Sequence, residues 1–399
     1  METICFFEDT HCKKFLPLNL TRPVDDFRCG ILTIREKWLI DLNIQSYTRL
    51  LEDHRNHIFK SSIGKDIHTV FWINPRVLPD QHICSNILFL NEDECLVIDK
   101  LVVAAKVSPE LSREWLKNEP DFESLKKLSL NRDPLILNEP WDLLSENGIE
   151  IRNDLNRLTE SGENEPKLPG HCSRSGENQL VIGENCTIEP GVVFMTGEGP
   201  VYIGNDVTIM ANSVIRGPVA ICDAAIIKTG AKIYGDTSIG PVCKVGGEVA
   251  NCIFHSYANK AHDGFTGNSI FGQWTNLGAD TNTSNMKNNY SKVSVLDYDS
   301  GKKNQTGLQF LGTIMGDHSK TAINTMLNTG TVCGVSSNIF NTSFPPKLIK
   351  SFRWNSDNGE VAYTFAKAVE TMGIMMARRN IEISDDYIAM MKAIFDMEN

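Results

Sequence analysis

A phase of six constrains this chain more than any other feature. Ile203, Ile209, Ile215, Ile221, Ile227, Ile233, Ile239 and Val245 place a β-branched residue at every sixth position, a period that suits neither a helix nor a plain strand. Small and turn-forming residues fill the gaps, as in Ile203-Gly204-Asn205-Asp206, Ile239-Gly240-Pro241 and Val245-Gly246-Gly247. Each hexad therefore reads as a short strand and a tight corner. Three hexads close a triangular coil whose apolar rung is buried only against the coils above and below, so the pattern predicts a parallel β-helix over residues 180–345. A sandwich with regular turns would not hold such a phase. Ile182, Ile188 and Phe194 lead into the series before a three-residue insertion, and Phe271, Leu277, Met315, Leu327, Cys333 and Ile339 continue it.

Glycine usage marks where this architecture begins. Only Gly30 and Gly64 precede residue 148, and the other 27 of the 29 glycines follow. The first part reads as an α/β domain with a mostly parallel sheet over residues 1–160. Its expected strands are Thr3–Phe7, Thr69–Ile73, Ile87–Asn91 and Leu101–Ala105, separated by helices such as 31–42 and one capped by Ser108 with Pro109 in its first turn. Pro140-Trp141-Asp142-Leu143-Leu144 opens a further helix, and residues 161–179 read as a linker. Phase is lost over 284–311, where Tyr290–Val295 alternates like a hairpin strand and predicts an arm. After Pro345-Pro346 come two amphipathic helices, 361–379 and 384–397, that cap the open end of the coils.

With 399 residues the chain can bury two cores without disulfide or metal staples. Its net charge of -11 argues against nucleic acid or anionic membrane as a partner, although phosphorylated small molecules need only a local basic pocket. Eleven cysteines without CxxC spacing suit reduced thiols filling cores in a cytoplasmic protein. No basic leader and no run of eighteen apolar residues appears.

Chemistry concentrates where the repeat is interrupted. Tyr257-Ala258-Asn259-Lys260-Ala261-His262-Asp263-Gly264-Phe265 and the run from Trp274 to Tyr290 collect amides, a histidine and lysines without apolar periodicity, which a β-helix does not need. A histidine titrating near neutrality can take a proton from an amine attacking an acyl carbonyl. The N–H of Ala279, on a Gly/Ala turn, can hold the oxyanion that results.

These residues carry a resemblance. Val245-Gly246-Gly247-Glu248-Val249, Lys260-Ala261-His262, Asn276-Leu277-Gly278-Ala279, Asn285 and Gly316-Asp317-His318-Ser319-Lys320-Thr321-Ala322-Ile323-Asn324 resemble the C-terminal half of the bifunctional N-acetylglucosamine-1-phosphate uridyltransferase/glucosamine-1-phosphate N-acetyltransferase family. Pro140-Trp141-Asp142-Leu143 resembles that family's hinge helix, and the whole chain resembles an alternative bacterial form. The resemblance implies a left-handed β-helix and a homotrimer with sites between neighbouring β-helices. It implies acetyl transfer from acetyl-CoA to an amino-sugar 1-phosphate, with His262 as general base, Asn276 and Asn285 orienting the sugar and amine, and Ala279 N–H polarising the thioester. Glu248, Lys260, Phe265, Lys287, Lys292, His318 and Lys320 are the further substrate-binding candidates, the arm lysines gripping a phosphate. Phe265 replaces the family's tyrosine and Ala250 a phosphate-binding lysine; His318 and Lys320 would compensate for the missing lysine.

Leu16-Pro17-Leu18-Asn19-Leu20-Thr21-Arg22-Pro23 resembles the opening of sugar nucleotidyltransferases, which use UTP or dTTP with Mg²⁺. Those enzymes cradle a triphosphate with glycines, whereas Phe7-Glu8-Asp9-Thr10-His11-Cys12-Lys13-Lys14 has none, and Val24 stands where a lysine is usual. Arg22, Arg28, Arg35, Lys37 and Asn91 are the nucleotide-binding candidates, with Asp93 for the metal. Three functions remain open: an acetyltransferase with coupled nucleotidyl transfer towards a nucleotide sugar such as UDP-N-acetylglucosamine, a nucleotidyltransferase whose β-helix only trimerises it, and a non-catalytic sugar-nucleotide scaffold.

Overall fold

The computed structural model describes residues 1–51, 54–59, 62–159 and 168–398. The chain forms two compact units. One comprises Met1–Lys14, Arg22–Phe27 and Leu32–Glu139; the other takes Phe15–Thr21, Arg28–Ile31 and Pro140–Asn399.

The first unit is a six-stranded sheet of β1 (Glu2–Phe7), β2 (Tyr47–Leu50), β3 (Thr69–Ile73), β4 (Glu94–Ile98), β5 (Leu101–Val107) and β6 (Lys126–Ser129), in the order β2-β1-β3-β5-β4-β6. The pairs β1–β2, β1–β3 and β4–β6 are parallel, and β5 runs against both neighbours. This is the mostly parallel sheet that the strand and helix alternation predicts. Helix α1 (Ile34–Asp41) starts at a capping box, Thr33 accepting from Glu36 N while the Glu36 carboxylate accepts from Thr33 N. Helix α3 (Pro109–Trp115) begins as expected, with Ser108 accepting from Leu111 N. The strand expected at Ile87–Asn91 is instead the end of helix α2 (Gln81–Leu88) and a turn. Asp80 caps this helix by accepting from Ile83 N, and Ile83, Cys84 and Ile87 share its buried face, so local capping and a helical period override an apolar run too short to declare its own period. Trp72, Trp115 and Phe122 meet edge to face beside buried Cys5, Val70 and Cys95.

The second unit is a left-handed β-helix whose register repeats every three hexads. Ile203 pairs with Ile221, Ile209 with Ile227, Ile215 with Ile233, and Ile227 with Val245. These rung side chains are at most 1% exposed. Burying each aliphatic side chain stabilises the fold by about 1.5–3 kcal/mol, and no single coil can do so alone. Two seven-residue strands, Glu248–Phe254 and Phe265–Phe271, run through a corner and link two faces of the prism.

Helix α4 (Asp142–Leu158) packs along the coils. Asn147 Nδ2 donates to Asp236 O, and its Oδ1 accepts from Ser238 Oγ and Gly30 N. Gly30 is needed there, since its φ is +89° and a Cβ would lie 2.4 Å from Asp154 Oδ2. Ile31 N donates to that same oxygen, and Thr21 Oγ1 donates to Asp317 Oδ2. Residues 161–167 of the expected linker lie outside the described residues, and within its remainder Ser173–Ser175 already forms the strand of a first coil, paired with Val193–Met195.

The arm contains a hairpin, Ser294–Leu296 against Lys303–Gln305, and is pinned back on the prism. Buried Tyr298 bonds Ser351 Oγ and donates to Glu398 Oε2, at 2.6 Å each. The first C-terminal helix is shorter than expected: Gly359–Ala362 pairs antiparallel with Arg353–Ser356, and α5 (Phe365–Ala377) and α6 (Asp385–Glu398) follow. None of the eleven cysteines forms a disulfide among the described residues, and nine of them are buried. Among the described residues, no helix is long and apolar enough to cross a membrane.

Candidate active site

Two adjoining coils present the residues singled out in the sequence. Asn259 bridges Asn276, Leu277 N donates to Asn259 O at 2.8 Å, and Asp280 N donates to Asp263 O at 3.1 Å. These links bracket His262 and Ala279, which therefore occupy one corner on successive coils, separated by the strand spacing of about 4.8 Å. The His262 residue is exposed and Ala279 half-buried. Gly278 N donates to Thr321 Oγ1, Asp280 N to Asp263 O and Thr281 N to Gly278 O. The Ala279 N–H between them makes no hydrogen bond among the described residues. An imidazole beside an uncommitted amide N–H is the pair that acyl transfer needs.

The corner joins two faces. On one, Lys244, Asn259, Asn276 and Lys320 form an outward column, with Asn259 Nδ2 donating to Asn276 Oδ1 at 2.7 Å. On the other, Phe265 N donates to Asn282 Oδ1 and Asn285 Nδ2 donates to Asn268 Oδ1, each at 2.8 Å. A Cβ at Gly267 would lie 2.6 Å from Asn285 Nδ2 and 2.7 Å from Phe265 Cζ, so a glycine lets ring and amide close over the strand. Glu248 is the partner of Phe265 in the preceding coil.

Several candidates do other work. Lys260 pairs in register with Val245 and occupies an inward rung position at 1% exposure. It therefore cannot reach a substrate; its Nζ donates to the carbonyls of His262 and Asp263 and holds the corner from within. Burial pushes its pKa down to about 8, with Asp263 opposing. His318 is fully buried, bonded through Nε2 to Tyr387 Oη and stacked 6.1 Å from Trp274, so it offers nothing to a phosphate. Lys320 donates to His318 O, and burial pushes its pKa down to about 8 as well. On the arm, Lys287 donates to Lys292 O, and Lys292 is exposed.

The nucleotide-binding candidates do not assemble into a phosphate cradle. Arg22 pairs with Asp26, and Arg35 with Asp25 and Asp26, the two aspartates raising its pKa against burial. Lys37 is buried in α1. Arg28 lies in the other unit, where it donates to Ile31 O and Cys222 Sγ. Asn91 is tied to Glu94, which takes Lys126. Asp93 sits exposed in a turn at φ 63°, and no group of three His, Cys, Asp or Glu residues suited to a metal occurs among the described residues. Asp93 therefore stands outside any such cluster, and a Mg²⁺ there would take its remaining ligands from water and substrate phosphates. Arginines that sequence reasoning passed over neutralise the acids after β1: Arg55 donates to Glu8 at 2.6 Å, and Arg76 binds Asp9 through two nitrogens. Asp9 also accepts from His11 N at the start of the two-turn 3-10 helix Thr10–Phe15.

Lys244, Arg378 and Arg379 were likewise passed over. They share a cavity of about 110 Å³ with Asn259, Asn276 and Trp274. Coil arithmetic places Lys244 beneath Asn259, but only the packing of α5 brings the two arginines there.

The fold joins a mixed, mostly parallel sheet to a hexapeptide-repeat prism, and the comparisons with known proteins fall on the same two parts. Residues 4–163 match the sugar nucleotidyl transferase family, and residues 200–235 match the bacterial transferase hexapeptide (six repeats). The bifunctional protein GlmU of Synechococcus elongatus is 30% identical over 151 residues, which are 37% of this chain and 27% of that protein. A bifunctional sugar-1-phosphate nucleotidylyltransferase/acetyltransferase of Sulfurisphaera tokodaii is 24% identical over 78% of this chain and 69% of its own. The bifunctional protein GlmU of Methanococcus vannielii is 28% identical over 60% of this chain and 51% of its own. The chain thus spans about a quarter of the GlmU relative first named.

Proposed function

We propose that the protein transfers an acetyl group from acetyl-CoA to the amine of an amino-sugar 1-phosphate. The observation that carries this reading is the shared corner of His262 and Ala279. The amine nitrogen attacks the thioester carbonyl, and the His262 imidazole accepts the proton that the nitrogen sheds. Ala279 N–H donates to the oxyanion as the carbonyl becomes tetrahedral. Collapse then breaks the C–S bond, and the leaving thiolate takes the proton back from His262. Asn276 and Asn285 orient the acceptor from the two faces that meet at the corner, beside Phe265 and Glu248. The names of the relatives support the reaction class, and a trimer, usual for such prisms, would place the exposed corner against a neighbouring copy.

The test is acetyl-CoA-dependent thiol release with glucosamine 1-phosphate. His262→Ala is expected to lower kcat by about 10²–10⁴ with the fold intact by circular dichroism; an unchanged rate would remove the imidazole from the mechanism. The match of residues 4–163 supports nucleotidyl transfer as a second activity, read by pyrophosphate release from UTP or dTTP with a sugar 1-phosphate. A prism that only trimerises a nucleotidyltransferase would release pyrophosphate and acetylate no amine.

A further inference from the structure

Helix α5 ends over the outward column of the prism. Arg378 is its C-cap, and with Arg379 it closes the small cavity against Lys244, Asn259 and Asn276. Three cations line this space and no carboxylate does. None of the three forms a salt bridge among the described residues, and Arg379 Nε is buried without an acceptor there. A helix C-terminus favours nearby cations by about 0.3–1 kcal/mol, which would account for the two arginines. It gives no reason for a lysine on the opposite wall. Burial lowers the Lys244 pKa, and repulsion from Arg379, Lys228 and Arg378 lowers it further.

The remaining walls are neutral. Tyr257 and Trp274 stack at 4.2 Å and 17°, both in left-handed backbone at φ 54° and 59°. Bulky residues adopt that conformation at a cost of about 1–3 kcal/mol and persist in it where the surroundings hold them. Asn276 Oδ1 already accepts from Asn259, and its Nδ2 makes no bond among the described residues. His262 follows Asn259 by three residues, about 10 Å along the extended chain.

We propose that this cavity is an anion subsite that binds a phosphate group of a substrate through Arg378, Arg379 and Lys244, with Asn276 as a further donor. Its volume suits one or two phosphate groups without a nucleoside. The assignment of those phosphates to a substrate of the prism rests on the acetyl-transfer reading. It replaces the grip expected of Lys287 and Lys292. Two sources share the chemistry: the phosphate of the amino-sugar acceptor, and the phosphates of the acyl donor.

Binding is tested without turnover, by titrating pyrophosphate into the full chain and following tryptophan fluorescence. Trp274→Phe identifies the reporting ring, and sodium chloride at matched ionic strength is the control. Wild type is expected to saturate. Arg378→Gln with Arg379→Gln, and separately Lys244→Gln, should weaken binding about tenfold or more, as loss of a charge-assisted hydrogen bond does. A wild type that does not saturate, or variants that bind as well as it does, would overturn the subsite. Acetyl-transfer kinetics then name the source. A tenfold rise in KM for glucosamine 1-phosphate alone assigns the acceptor, and a rise for acetyl-CoA alone, with CoA displacing pyrophosphate better than dephospho-CoA, assigns the donor. Unchanged KM for both substrates overturns the proposal. Arginine-dependent pyrophosphate binding in a protein that acetylates no amine would keep the subsite and reject the acetyl-transfer reading.

Discussion

Lys260 stands on the rung position held by Val245 in the preceding coil, and its ammonium reaches back to the carbonyls that flank the His262 peptide. Burying a cation on an apolar rung is unfavourable, which is why its pKa falls to about 8 from an ordinary value of 10.5. Between those two values the unfolded chain binds more protons than the folded one, so this residue adds stability as pH rises from 8 to 10.5. Lys260→Met should therefore lose ground to wild type over that window, by an amount on the order of 1–3 kcal/mol in urea melts. A stability difference that stays flat from pH 7.5 to 10.5 would show that the ammonium is not buried as described. The same substitution frees the corner carbonyls and, on the acetyl-transfer reading, should raise KM for the acceptor. The candidate His262 stands out in the sequence because no solenoid needs a histidine among amides, and the structure places it exposed on a corner. The inward turn of Lys260 was hidden, since the shortened coil between Val245 and Lys260 shifts the phase from 18 residues to 15.

Elements were legible in proportion to their periodicity. The rungs repeat often enough for their burial to be read directly, and neighbouring residues give a sharp contrast. Ile227 points inward at 0% exposure, whereas Ile226 lies half-buried on the outer face beside Lys244. Ile227→Ala should cost about 2–5 kcal/mol and Ile226→Ala less than about 1 kcal/mol, measured by chemical denaturation. Equal costs would contradict the inward and outward alternation. Short apolar stretches were less readable: Ile87 to Leu90 contains too few residues to show a period, and Asp80, seven residues upstream, decides it by capping α2. The arm could be placed by its loss of phase, but not its anchorage, because Tyr298 meets Ser351 and Glu398 only through chain distant in sequence.

At the scale of the molecule, the composition shift after residue 148 locates the change of architecture, yet the compact units are not consecutive. Residues 15–21 and 28–31 belong with the prism, where Gly30, Ile31 and Thr21 satisfy Asn147, Asp154 and Asp317. No local signal in the sequence announces this, because each bond joins residues more than a hundred positions apart. A fragment of residues 140–399 leaves those buried polar groups without these donors, at a cost of about 1–3 kcal/mol each. It should unfold several degrees below the corresponding transition of the full chain, and a peptide of residues 15–31 added in trans should raise its melting temperature. A fragment as stable as the whole, indifferent to the peptide, would refute this account.

Two domains fused end to end can ordinarily be exchanged like beads on a string. Here the upstream bead has threads sewn into the downstream one, so grafting a foreign leader at Pro140 would damage the portion it was meant to leave alone.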